Sequence, residues 1–132
     1  FVVKTKTGKL RALVVDVKPK VLRSWREAIR SDVVAELGED WVPLSGPIRV
    51  VLHFTLPKPA SAPKRRRTWP VGARSGDIDK LERAALDALT DAALWRDDGQ
   101  VVDLHGTKDY PDLCIASPGV VIRVYRVGET FA

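Results

Sequence analysis

The sequence predicts an α+β domain in which two helices pack on a mixed or mostly antiparallel sheet, in the order ββαβαββ. Three observations predict it. Residues 48–56 alternate between apolar and polar or mixed positions, with Ile48, Val50, Leu52, Phe54 and Leu56 facing one way. Two segments, about 18–37 and 78–93, carry apolar residues at helical spacing. Segments rich in β-branched residues stand near both ends of the chain, beside Thr7-Gly8 and Pro118-Gly119.

Taken in order, residues 1–6 and 10–17 read as a hairpin around Thr7-Gly8. Pro19 suits a first helical turn, and Val21, Leu22, Trp25, Ala28, Ile29, Val33 and Leu37 form an apolar face that Gly38 ends. The strand at 48–56 follows. Residues 57–76 then hold four prolines, together with Lys58, Lys64, Arg65, Arg66, Arg67 and Arg74, and no acidic residue before Gly76. A long basic loop is the reading, and long loops in small domains are often functional or disordered. The helix at 78–93 has Ile78, Leu81, Ala85, Ala88, Leu89 and Ala92 on its core face, and Asp79, Arg83 and Asp87 on the far side. Strands at 100–108 and 119–127, linked through Pro111 and Pro118-Gly119, complete the domain.

The 132 residues suit one domain with one core, 1–132. Apolar content of 45% is ordinary, and a net charge of +5 favours polyanionic partners. The single cysteine, Cys114, excludes an intrachain disulfide and a multi-cysteine zinc site, which points to a reducing cytoplasm. No apolar run is long enough to span a membrane. The chain begins at Phe1, which suggests further residues upstream.

Against this basic background, Asp77, Asp79, Asp87, Asp97 and Asp98 fall within one short stretch. Gathered carboxylates repel unless a cation holds them, and magnesium needs only two or three because it keeps several waters. Asp77 and Asp79 stand at a loop-to-helix junction, and Asp98 precedes a strand that could return beside that helix. A cation there would polarise a phosphoryl oxygen, orient a water and stabilise a leaving oxygen. Local rules also explain these residues without a metal. Aspartate caps helix N-termini and opposes the helix dipole, and Asp-Asp-Gly makes a good turn. An EF-hand fails, since Leu81, Glu82 and Ala88 stand where its loop needs an oxygen ligand, glycine and glutamate.

The run Asp-Ile-Asp-Lys-Leu-Glu-Arg-Ala-Ala-Leu-Asp-Ala-Leu-Thr, then Trp-Arg-Asp-Asp-Gly-Gln-Val-Val-Asp-Leu, then Lys108, resembles the RusA family of Holliday junction resolvases. The close match covers about residues 76–108. The resemblance implies a bacterial or phage homodimer that resolves four-way DNA junctions by paired nicks with Mg2+, Mn2+ being an alternative. It assigns Asp77, Asp79 and Asp98 as metal ligands. Asp87 and Asp97 match recurrent acids that support the site or the fold. Lys80 stands where the family usually has asparagine, and Arg83 where it usually has a catalytic lysine. Arginine binds phosphate well but does not readily give up a proton, so Arg83, with Lys80 beside it, would stabilise charge. Lys64, Arg65, Arg66, Arg67 and Arg74 would clamp DNA phosphates, and Trp69 would stack on bases at a branch. The loop also reads as a solvated charge run. Lys108, Arg123 and Arg126 extend the basic surface or are simply exposed strand residues. Two other readings stay open: a magnesium nuclease of other DNA structures, and a branched-DNA-binding protein without catalysis. His53, His105 and Cys114 read as structural or inert, and Trp25, Trp41 and Trp95 as core or interface aromatics.

Overall fold

In the computed structural model, residues 13–17, 24–72, 76–112 and 117–127 are described. The elements are β1 (Leu13–Val17), α1 (Trp25–Leu37), β2 (Ile48–Thr55), α2 (Ile78–Asp91), β3 (Val101–Asp109) and β4 (Gly119–Arg126). The sheet order is β1-β4-β2-β3. β4 pairs antiparallel with both β1 and β2, whereas β2 and β3 are parallel, so the sheet is mixed. The α+β expectation therefore holds.

The expected strand at 1–6, Pro19, Val21, Leu22, Arg74 and Cys114 lie outside the described residues. Of the hairpin, the segment 13–17 is a strand.

Two boundaries differ from the sequence reading. Helix α1 begins at Trp25 rather than near residue 18, because Ser24 is extended and its hydroxyl accepts the Glu27 N–H at 3.2 Å. Gly38 ends α1 as expected, with φ 78° and its N–H donating to Val34 O. Helix α2 ends at Asp91 rather than 93, because Ala93 takes a positive φ of 58° that turns the chain. β3 and β4 follow one another in sequence but are not neighbours, since β2 lies between them.

The alternation in β2 does what its period requires. Ile48, Val50, Leu52 and Phe54 are buried under the helices, while Arg49 is exposed. Helix α1 contributes Ala28, Ile29, Val33 and Leu37, α2 contributes Leu81, Ala85, Ala88 and Leu89, and β4 contributes Val120, Ile122 and Val124. Trp25 meets Phe54 edge to face, with ring centroids 5.4 Å apart. Ile78, assigned to the core face of α2, is instead partly exposed in its first turn. Ala85 and Ala88 are fully buried on the core face of α2. Arg26 of α1 ties the helices together through Asp91 at 2.7 Å and Asp87 at 3.9 Å.

Because β2 and β3 run parallel, α2 is the crossover between them and runs back along the sheet. Two contacts fix its direction relative to β3. Lys108 Nζ donates to Gly76 O at 2.7 Å, and a Cβ at Gly106 would collide with the Glu82 carboxylate. The start of α2 thus lies beside the end of β3, and the end of α2 beside the start of β3.

Candidate nucleic-acid cleavage site

Asp77 occupies the N-cap position of α2, with φ −76° and ψ 140°, yet its side chain makes no capping hydrogen bond. The capping explanation therefore does not account for this carboxylate. It is exposed instead, and Lys80 approaches it at 3.7 Å. Such an exposed pair contributes little to stability. Asp79 sits in the first turn, also exposed, where a negative charge is favoured by the helix dipole. The pair Asp77 and Asp79 thus projects into solvent from one helix start. Lys108 fixes the peptide just before it by its bond to Gly76 O. Arg83 is exposed one turn beyond Asp79.

The second acidic pair behaves differently. Asp97 caps the short 3-10 turn at Asp98–Gln100, accepting the Gly99 N–H at 3.0 Å, and Gln100 completes a capping box. Gln100 does more than that. Its Oε1 accepts from Arg96 N and Asp97 N at 2.9 and 3.0 Å, and its Nε2 donates to Leu44 O and Gly46 O at 2.9 and 3.1 Å. The glutamine of the Asp-Asp-x-Gln-Val pattern is therefore the pin that fixes the turn on the segment before β2. Trp95, 1% exposed, anchors the same turn from below, with Nε1 donating to Thr90 Oγ1 at 2.8 Å. Asp98 is left exposed on this rigid turn.

Asp87 is engaged by Arg26 in the contact between helices, and Asp97 by its cap, so both do structural work here. Neither is placed beside Asp77 and Asp79. Nor is Asp98. It lies past the far end of α2, and the rise from Asp79 to Asp91 alone is about 18 Å. Among the described residues no three His, Cys, Asp or Glu side chains converge to hold a metal.

The basic loop is attached at the Asp77 end. Arg67 donates to Asp109 Oδ2 at 2.5 Å and lies over the Trp69 ring, 4.7 Å from its centroid. Asp109 is held below the usual carboxylate range, chiefly by its hydrogen bond from Arg67. Leu56 N–H donates to Asp109 O at 2.8 Å, closing the root of the loop on β3. Arg67 is thus a structural anchor, whereas Lys64, Arg65 and Arg66 are exposed. Trp69 is 56% exposed beside them. Asp109 was not singled out by the sequence; its only signal there is an acid at a strand end. His53 is hydrogen-bonded to Thr107 at 2.6 Å, a structural role, and His105 is exposed on β3.

The family model described as "Endodeoxyribonuclease RusA" matches residues 3–125. The chain belongs to the RusA family of endodeoxyribonucleases. Among its relatives, the crossover junction endodeoxyribonuclease RusA of Escherichia coli (strain K12) is 54% identical over 35 residues, 26% of this chain and 29% of the relative. The Shigella sonnei protein of the same name matches with the same identity and coverage. The protein of that name from Enterobacteria phage 82 is 51% identical over 35 residues, again 26% of this chain and 29% of the relative. The matched stretch therefore spans less than a third of the length of these relatives. No helix among the described residues is long and apolar enough to cross a membrane.

Proposed function

We propose that this protein is a cytoplasmic, homodimeric endodeoxyribonuclease that resolves four-way DNA junctions by paired, symmetric nicks and depends on Mg2+. One observation carries the reading. The start of α2 presents Asp77 and Asp79 to solvent with no capping bond to explain Asp77, at the same end of the domain where the basic loop is anchored. Carboxylates alone would repel DNA. Beside Lys64, Arg65 and Arg66, a phosphate is drawn to them, and Trp69 offers a ring face to a base freed at a branch. Arg83 and Lys80 lie one turn from the acids and supply positive charge to a pentavalent phosphate. The names of the relatives agree with this substrate class.

The test is incubation with a labelled four-way junction and the matched linear duplex, in Mg2+ or in chelator, beside Asp79→Asn. Symmetric junction nicks that need Mg2+ and vanish in the variant support the reading. Tight junction binding without nicks would instead make the protein a binder whose Arg83 and Lys80 departures silence it. Equal cutting of duplex would make it a nuclease of another class of structure.

A further inference from the structure

Lys108 differs from the other basic residues at its end of the domain. Lys64, Arg65 and Arg66 are exposed, whereas Lys108 is half-buried. It pairs in register with Phe54, a fully buried residue under the helices, so its side chain leaves β3 on the helix side. There its ammonium donates to Gly76 O at 2.7 Å. That oxygen belongs to the Gly76–Asp77 peptide, which is planar, so holding it sets the plane from which Asp77 departs. On its other side, Asp77 O accepts the Leu81 N–H at 3.0 Å. Asp77 is therefore clamped through its backbone on both sides, while its carboxylate makes no capping bond.

We propose that Lys108 is a positioning residue: it holds the Gly76–Asp77 peptide so that the Asp77 carboxylate is presented in one orientation, and it takes no DNA phosphate itself. The inference rests on the junction-endonuclease reading of this site and deepens it. A hydrogen bond from an ammonium is stronger than one between neutral groups. A phosphate that drew Lys108 away would leave the half-buried Gly76 carbonyl unpaired. The exposed loop residues take a phosphate without that cost.

The next residue along the strand shows why the position matters. Asp109 projects to the opposite face of β3 and receives Arg67 of the basic loop. One strand end thus holds the acids on one face and the loop on the other, which fixes the distance between a phosphate gripped by the loop and Asp77. Two residues back on the helix side, the Glu82 carboxylate fills the space that a side chain at Gly106 would need. Helix α2 is seated on β3 there as well, so removing the Lys108 bond should release the Asp77 peptide without unseating the helix.

The experiment compares Lys108→Met with wild type in three readouts: the nuclear magnetic resonance cross-peak joining the Gly76 carbonyl carbon to the Asp77 amide nitrogen, the salt dependence of junction binding, and steady-state nicking. The cross-peak should shift and the log–log salt slope should stay at the wild-type value. kcat should fall about a hundredfold with KM little changed. A slope lower by about one would make Lys108 a phosphate contact and overturn the proposal. So would an unmoved cross-peak, or full kcat where wild type nicks. A wild type that cuts no junction, with the cross-peak shifted and the slope kept, would sink the junction reading and leave Lys108 as the holder of Asp77. Gly76→Ala disturbs the same peptide without changing charge, because residue 76 sits at φ 84°. It should lower kcat with the slope kept, and the two changes together should cost little more than either alone. Full kcat in Gly76→Ala, or losses that multiply in the double variant, would overturn the shared clamp.

Discussion

Trp95 links the hydrophobic core to the turn that carries Asp98, and replacing it with phenylalanine tests that link in free energy. The indole is 1% exposed, its Nε1–H is donated to Thr90 Oγ1 at 2.8 Å, and Thr90 Oγ1 in turn donates to Leu86 O at 3.0 Å. Residue 95 also forms an isolated parallel bridge with Leu44. Phenylalanine keeps most of the ring but removes the N–H and leaves a void. The lost hydrogen bond costs about 1 kcal/mol. A residual cavity of about 40 Å³, at about 24 cal/mol per Å³, costs about 1 kcal/mol more. The variant should be about 2 kcal/mol less stable in urea unfolding followed by far-ultraviolet circular dichroism, with an unchanged m-value. Nicking should fall with the looser hold on Asp98, while junction affinity should stay near wild type. A loss below about 0.5 kcal/mol, well under the summed estimate, would refute the anchoring argument. Full stability with lost junction affinity would place Trp95 on the DNA rather than in the core.

Three further outcomes follow from the same geometry. Gln100→Ala leaves Arg96 N, Asp97 N and two carbonyls to water and should cost about 1–3 kcal/mol, measured by the same urea titration; no loss would remove Gln100 from the turn's support. The Asp109 carboxyl is depressed in the folded state by Arg67, so it binds fewer protons folded than unfolded and stabilises above the ordinary carboxylate range. That contribution should disappear as pH falls through the folded pKa, so wild type and Asp109→Asn should differ in urea midpoint at pH 6 and converge in strong acid. In junction binding followed against salt, Arg65→Ala or Arg66→Ala should each lower the log–log slope by about one. Arg67→Ala should weaken binding with a smaller change in slope, because its guanidinium is engaged by Asp109 and Trp69.

Much of this protein was legible in its sequence because the relevant signals are local. The alternation at 48–55 and the helical spacing at 78–91 each follow from one face being buried, so the strand and the crossover helix were readable directly. The start of α1 at Trp25 is set by the Ser24 cap, which apolar spacing alone does not record. The place of β3 at one end of the strand order of the described residues could not be read, since strand order depends on long-range pairing that residue patterns do not record. At the site, aspartates of the same type acquire different roles. Asp97 caps a turn and Asp87 meets Arg26, while Asp77, also at a cap position, forms no cap. Sequence distinguishes none of these, because the difference lies in where each carboxylate points. The Arg67–Asp109 anchor joins residues 42 apart, and for that reason Arg67 looked identical to the exposed Arg65 and Arg66.

The most direct measurement of the central claim uses a supercoiled plasmid that extrudes a cruciform, incubated with the protein and Mg2+ and sampled early. Two active sites acting on one junction should cut opposing strands within a single binding event and give linear plasmid, and Asp79→Asn should give none. Accumulation of nicked circles as the only product, or an unchanged supercoiled band, would contradict a dimeric junction-resolving nuclease.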